Sequence, residues 1–440
     1  MAPSPATSTP HPLLAAAAWL RAPETRRVLN ALEASGATAR VVGGAVRNTL
    51  LARPVSDIDI ATDATPDEVM AAARAAGLEV VATGLKHGTV TVIAGHRPFE
   101  VTTLRADVET DGRHATVAFN RDWAGDARRR DFTINALYCD AEGRLFDHCG
   151  GLADLAARRV RFIGDAHQRI REDFLRILRF FRFSAEYSGG SMDPEGLAAC
   201  IDERGGLARL SAERVHAELL KLLSADAAPQ TLAAMQAGGL LRPLFDHDGD
   251  VATVARLFEI KARIPDGHTA GSDRTLVERL IPLAALACVA PVDATRLMGK
   301  LRLSRHEHET LAALDRTAAA FAAATARDQP AASPSDRDIG IAVYRRGAAV
   351  AAGAVLLAWA RSPSATDAPH WRRSFDLARH AVRPVLPFSG GDVVALGVAP
   401  GPEVGRALER FEAWWIAAGF PADAALLRNA LRRAVMVSEM

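Results

Sequence analysis

The chain has 440 residues, 49% of them hydrophobic and 24% charged, with a net charge of +1. That length exceeds one ordinary core and predicts roughly two to four domains, while the composition is that of a globular protein rather than a disordered or membrane one. No apolar run reaches the roughly 20 residues of a membrane span, and a near-neutral total leaves any polyanion contact to local basic stripes.

Residues 1–12, rich in Pro, Ser and Thr, are expected to form a loose tail, and 1–23 as a whole a tail with a helix start. "LLAAAAWL" is short, lacks a basic flank and runs into a polar helical pattern, so it is not read as a secretory signal. Residues 24–164 mix helices with β-rich segments: "ARVVGG", "SDIDIAT", "GTVTVIAG", "PFEVTTL", "INALYCD" and "RVRFIG". Thr65-Pro66-Asp67-Glu68 reads as a capping box opening a helix that Gly77 stops. This first domain is α+β. From Asp165 onward the pattern is helical. One helix is expected from Asp165, as cap, to Gly189-Gly190, and a second from Ser211 in "SAERVHAELLKLL". Residues 226–440 read as Ala- and Leu-rich helices with two polar linkers, "TARDQPAASPSDRD" and "RSPSATDAPH". Cys139, Cys149, Cys200 and Cys288 show no CxxC spacing, which points to free thiols in a reducing compartment, the cytoplasm.

The stretch from 41 to 69 carries chemistry. On a strand, Asp57 and Asp59 share one face about 6.6 Å apart along the chain, while Ile58 and Ile60 face the core. Two converging carboxylates repel, and a divalent cation between them removes that cost. Mg²⁺ suits such a site, because it takes one or two carboxylates and completes its shell with water and phosphate oxygens. Gly43 and Gly44 open the "AVRNTLL" helix, where uncovered N–H groups favour an anion, and Arg47 can fork onto the same phosphates. A phosphate cradle followed by a carboxylate pair describes a nucleotidyl-transfer site.

"GGAVRNTLL…SDIDIATDATP", "RRRDFTINALYCD" at 128–140 and "EDFLRILRFFRF" at 172–183 together resemble the class II tRNA nucleotidyltransferases, the CCA-adding enzymes, a family that also contains bacterial poly(A) polymerases. The resemblance implies a nucleotidyltransferase head of the polymerase-β superfamily over 24–164. A helical neck over 165–225 would read the nucleotide base, and an all-α body and tail over 226–440 would hold tRNA. It places Asp57 and Asp59 on the metals, and Gly44 and Arg47 on the nucleotide. It also places Arg130 on the nucleotide, Asp131 near the ribose, and Asp173, Arg176, Arg179 and Arg182 at nucleotide-reading positions. CTP and ATP are the implied substrates and Mg²⁺ the implied cofactor. A monomer and a homodimer are equally compatible with the sequence.

The neck motif has a reason of its own. Cytosine and adenine present an amino donor beside a ring-nitrogen acceptor, whereas uracil and guanine present a carbonyl beside an N–H; a carboxylate with a guanidinium matches only the first pattern. Asp173 and Arg176, three apart on one helix, are expected to be held as that pair. Phe180, Phe181 and Phe183 are assigned to the core. Glu100 could supply a third carboxylate, as in polymerase sites, but a structural role is preferred; Ser211, Glu213 and Arg214 match a further motif of the family, although capping and an intrahelix pair account for them. The 104–119 segment matches a flexible loop of the family, and "RHEHE" at 305–309 reads as a surface helix start. Asn48 stands where the family usually has Asp. Poly(A) polymerase, A-adding or CC-adding forms, and a non-catalytic RNA-binding protein are the alternatives.

Overall fold

The structure is a computed structural model that describes residues 9–85, 88–111, 114–264, 272–290, 293–328, 333–362 and 369–436. Most of the N-terminal tail, the tip of the 104–119 segment and the centres of both linkers lie outside the described residues. The chain forms two compact units, one up to Pro243 and one from Leu244 onward.

In the first unit the strands are β1 (Ala39–Val42), β2 (Asp59–Thr62), β3 (Glu79–Gly84), β4 (Thr89–Ala94), β5 (Arg97–Thr103), β6 (Arg105–Asp111), β7 (His114–Phe119), β8 (Leu137–Cys139) and β9 (Leu145–Asp147). Seven of them make a mixed sheet in the order β3-β4-β5-β2-β1-β8-β9, with β6 and β7 forming a separate hairpin. Among the described strand pairs only β2–β5 is parallel. Helices Pro23–Ala34 and Pro66–Ala75 pack on the sheet, and the second begins with the expected box, Thr65 accepting from the Glu68 N–H.

Several expectations need correction. β3 is an edge strand with a mostly exposed pattern, so it lacks the alternation that reveals a strand. Residues 159–164 form no strand, only a bridge between Phe132 and Phe162. The 134–140 segment begins in a 3₁₀ turn, Thr133–Asn135. The helix expected from Asp165 to Tyr187 is two helices, Ala166–Glu172 and Leu175–Tyr187, broken at Asp173 (φ −156°, ψ 105°). Asp173 accepts from the Leu175 N–H at 3.1 Å, the local bond by which Asp competes with helix and starts a new one. Phe174 then lies flat on Gly206, where an added Cβ would come within 1.9 Å of its ring.

In the second unit the Ala348–Arg361 helix is buried on all sides from Ala351 to Ala360. It packs against helices Val251–Ala262, Ser272–Ala287, Arg305–Asp328 and Pro369–His380. Helices Pro402–Ala417 and Ala424–Met436 close on their own core of Phe411, Trp415, Leu427 and Leu431.

Gly151 sets the position of the 130–135 segment, because a Cβ there would stand 2.1 Å from the Thr133 carbonyl oxygen. Backbone cannot rotate aside as a side chain can. Gly151→Ala is expected to destabilise the first unit by roughly 2 kcal/mol or more, read as a lowered urea midpoint; an unchanged midpoint would show that this approach carries no constraint.

Candidate active site

The alternation expected at 57–60 is present, although β2 itself starts only at Asp59. Ile58 and Ile60 are 2% and 0% exposed, whereas Asp57 and Asp59 face solvent. Register extends this face across the sheet. Tyr138 is opposite Val42, Val42 opposite Asp59, and Asp59 opposite Glu100. Further along the same face Ala61 and Val42 are buried with Ala127, Tyr138 and Ile163, so the acidic end of β2 opens where that apolar cover stops. Glu100, given a structural role from sequence, is therefore the third carboxylate of the row. The parallel β2–β5 pairing that brings it there joins residues 41 apart in sequence and leaves no local signal.

Packing around Asp59 strips hydration from it even though the side chain opens outward. That, with Glu100 and Asp57 nearby, raises its carboxyl above the usual range, and Arg130 partly offsets the rise. Arg130 thus faces the acidic row, held by Asp126 at 3.0 Å and by the Tyr138 hydroxyl at 3.1 Å. Burial alone would lower its pKa; Tyr138 and Asp126 keep it above the ordinary value.

Asp131 points the other way, into the first unit's interior. One oxygen accepts from the Phe132 N–H and the Asn135 amide at 2.8 and 3.0 Å; the other takes two N–H groups of Arg179 at 2.8 and 2.5 Å. All four of its acceptor positions are engaged, so the ribose contact expected from sequence has no unused lone pair in this state. Burial would raise the Asp131 carboxyl, but Arg179 and Asn135 hold it below the usual range.

The phosphate cradle also differs from expectation. Gly43 adopts φ +74°, open to glycine, and its N–H bonds to the Leu137 carbonyl at 3.0 Å rather than standing uncovered. An added Cβ at Gly44 would lie 3.8 Å from the Arg47 guanidinium. Arg47 is buried, 7% exposed, bonded to Asn48, Asn135 and the Tyr187 hydroxyl, and stacked 4.2 Å from the Tyr187 ring centroid. Its burial lowers its pKa. Asn48 accepts from Arg47 at 3.0 Å while its amide donates to the Pro54 carbonyl at 3.0 Å, anchoring the loop that leads to Asp57. An aspartate there could accept but not donate.

In the neck the expected Asp173–Arg176 pair is not made. The break at Asp173 turns its side chain to Arg214, at 2.7 Å. Arg176 pairs with Glu172 at 2.7 Å and donates to the Arg169 carbonyl at 2.8 Å. A carboxylate and a guanidinium still stand together at the partly exposed surface, with Arg214 supplied from helix Ala212–Leu223. Arg182 is buried against Glu218 at 2.6 Å and Glu186 at 3.1 Å, over the Phe183 ring. Phe180, Phe181 and Phe183 are core residues, as expected.

Among the described residues no three His, Cys, Asp or Glu side chains converge tightly enough to hold a metal by themselves. The outward-facing Asp57 and Asp59, crowded by Glu100, suit a hard cation that takes two carboxylates and fills its other positions from water and phosphate. They do not suit a closed structural site.

A mixed sheet carrying this acidic row, followed by a broken helical segment with an Asp–Arg pair, defines a nucleotidyltransferase head joined to helices. A family model described as "Poly A polymerase head domain" matches residues 39–161, and one described as "Probable RNA and SrmB- binding site of polymerase A" matches 191–247. The mitochondrial CCA tRNA nucleotidyltransferase 1 of Mus musculus is 34% identical over 398 residues, 87% of this chain and 83% of its own length. That of Danio rerio is 39% identical over 61% of this chain; the chain spans 60% of that relative's length. The crystal structure of the Bacillus stearothermophilus CCA-adding enzyme in complex with CTP superposes with a TM-score of 0.71 at 25% identity, covering 94% of this chain and 98% of that one. The chain belongs to the CCA-adding tRNA nucleotidyltransferase family.

The Asp131–Arg179 pair yields a pH prediction. Because the folded pKa of Asp131 lies below the unfolded value of about 3.9, its stabilisation is complete above that value and is lost as pH falls through the folded pKa. Asp131→Asn is expected to cost about 3 kcal/mol at pH 7 and progressively less below about pH 4, measured by urea unfolding across pH. A cost that stays constant down to pH 3 would contradict the assignment.

Proposed function

We propose that the chain adds C, C and A to the 3′ end of tRNA without a nucleic-acid template, using CTP and ATP and releasing pyrophosphate. The observation that carries this reading is the row Asp57, Asp59 and Glu100 on the open end of β2 and β5, with Arg130 facing it, in a chain that matches CCA-adding enzymes along most of its length. Asp57 and Asp59 would hold the divalent cation, Mg²⁺, which when bound supplies Lewis-acid activation of the terminal hydroxyl and charge neutralisation at the phosphates.

The protein's own part is positioning. Ile58 and Ile60, locked in the core, aim the two carboxylates; Asn48 and Arg97 hold the preceding loop through the Pro54 and Ser56 carbonyls. Arg130, kept charged by Asp126 and Tyr138, offsets negative charge on the incoming triphosphate. Asp173 with Arg214 offers the base an acceptor beside a donor, complementary to cytosine and adenine and mismatched to uracil and guanine. Gly43, Gly44, Arg47, Arg176, Arg179 and Arg182 shape the surroundings of these groups, and arginines of the 372–433 region supply phosphate contacts to tRNA. The four cysteines are free, which supports a reducing compartment such as the cytoplasm.

The test is incorporation on tRNA ending at the discriminator base, on tRNA lacking only the last A, and on an unrelated RNA, with each nucleotide alone and mixed. Addition of C, C and A followed by arrest is expected; long A tails on any RNA would instead indicate a poly(A) polymerase. Asp59→Ala is expected to abolish addition while tRNA affinity stays within about twofold. Asp173→Ala is expected to raise misincorporation of U or G by about 10- to 100-fold, and unchanged selectivity would refute the pairing argument.

A further inference from the structure

The second unit contains a cleft of its own. It lies among helices Val251–Ala262, Ser272–Ala287, Ala348–Arg361 and Pro369–His380, with a cavity volume of about 120 Å³. That is close to the roughly 150 Å³ of an apolar cavity that admits benzene, room for a slender ligand. Its walls are aliphatic, built from Ile264, Val277, Ile281, Ala352 and Leu356, and Phe375 is the one aromatic side chain among its described lining residues. A nucleobase would find no pair of rings to stack between.

Three charged groups reach this apolar space: Lys261, Arg379 and Glu278, two cations against one carboxylate. The Nε of Arg379 is buried and has no hydrogen-bond partner among the described residues, and the guanidinium carbon lies 5.7 Å from the Phe375 ring centroid. A buried guanidinium N–H without an acceptor is costly, so its retention calls for an acceptor that arrives from outside. Lys261 makes no ion pair among the described residues; burial lowers its pKa, and Glu278 nearby only partly opposes the shift.

We propose that this cleft binds a small amphipathic anion, its carboxylate or phosphate head received by Arg379 and Lys261 and its unbranched aliphatic body laid along the Ile264, Val277, Ile281 and Leu356 walls. Arg379 can present a fork to two anionic oxygens, and the excess positive charge selects an anion over a neutral chain of equal length.

Calorimetric titration of the full chain with octanoate, octyl phosphate and octanol tests this. At least one of the two anions should bind saturably at one site, with octanol about tenfold weaker or more. The tighter anion identifies the head group. Arg379→Met should weaken anion binding about tenfold and leave octanol unchanged, and Ala352→Leu, which narrows the cleft without touching charge, should weaken all three. CCA addition should be unaffected in Ala352→Leu. Octanol binding as tightly as the anions, wild-type anion affinity in Arg379→Met, or no saturable binding of either anion would overturn the proposal. Should Arg379→Met fail to fold by circular dichroism, Ala352→Leu decides alone, and unchanged anion binding in it would overturn the assignment.

Discussion

The structure depends on the burial of two isoleucines. Ile58 and Ile60 lie in the core, and because side chains alternate along extended backbone, their burial forces Asp57 and Asp59 to the opposite face. Each isoleucine contributes about 2 kcal/mol of burial, enough to hold a carboxylate beside another that repels it. Slipping β2 by one residue would place both aspartates in the apolar interior, so the register and the site are one constraint. Parallel pairing with β5 then adds Glu100 to the same row, and antiparallel pairing with β1 brings Val42 and Tyr138 alongside.

Around this row the charged side chains divide into two groups. Arg130, which faces the acidic row, and the Asp173–Arg214 pair are partly exposed and able to meet a ligand, and Arg179 is partly exposed as well. Arg47, Asp131, Arg179 and Arg182 are tied into bonds that join the Gly44–Leu50 helix and the segment at Asp131 to the Leu175–Tyr187 helix, and that helix to Ala212–Leu223. The second group explains how a short head motif and a distant helix keep a fixed geometry. Motif residues of the two kinds look alike in sequence, since an arginine that binds phosphate and one that binds a buried carboxylate are the same letter.

What could be read from the sequence follows from how local each signal is. The Thr65 capping box, the Ile58/Ile60 alternation and the phenylalanine core of the neck depend on neighbours within a few residues, and all were legible. The break at Asp173 was not, because an i,i+3 pattern continues through it; only the preference of Asp for local capping hinted at a stop. Glu100 and Arg214 reach the site through a parallel strand pair and a helix packing, contacts across 41 residues in each case from Asp59 and Asp173, which no short window holds. Asn48 was visible as a departure from the family pattern, but its amide donating to the loop carbonyl required the fold to be seen.

The central claim is that the acidic doublet exists to bind a divalent cation together with a nucleoside triphosphate. Electron paramagnetic resonance of Mn²⁺, titrated into the full chain with CTP present, measures this without relying on turnover. Bound Mn²⁺ that is lost when Asp57 and Asp59 are both replaced by Asn, with the fold intact by circular dichroism, is the predicted result. Mn²⁺ binding unchanged in the double variant would contradict the account.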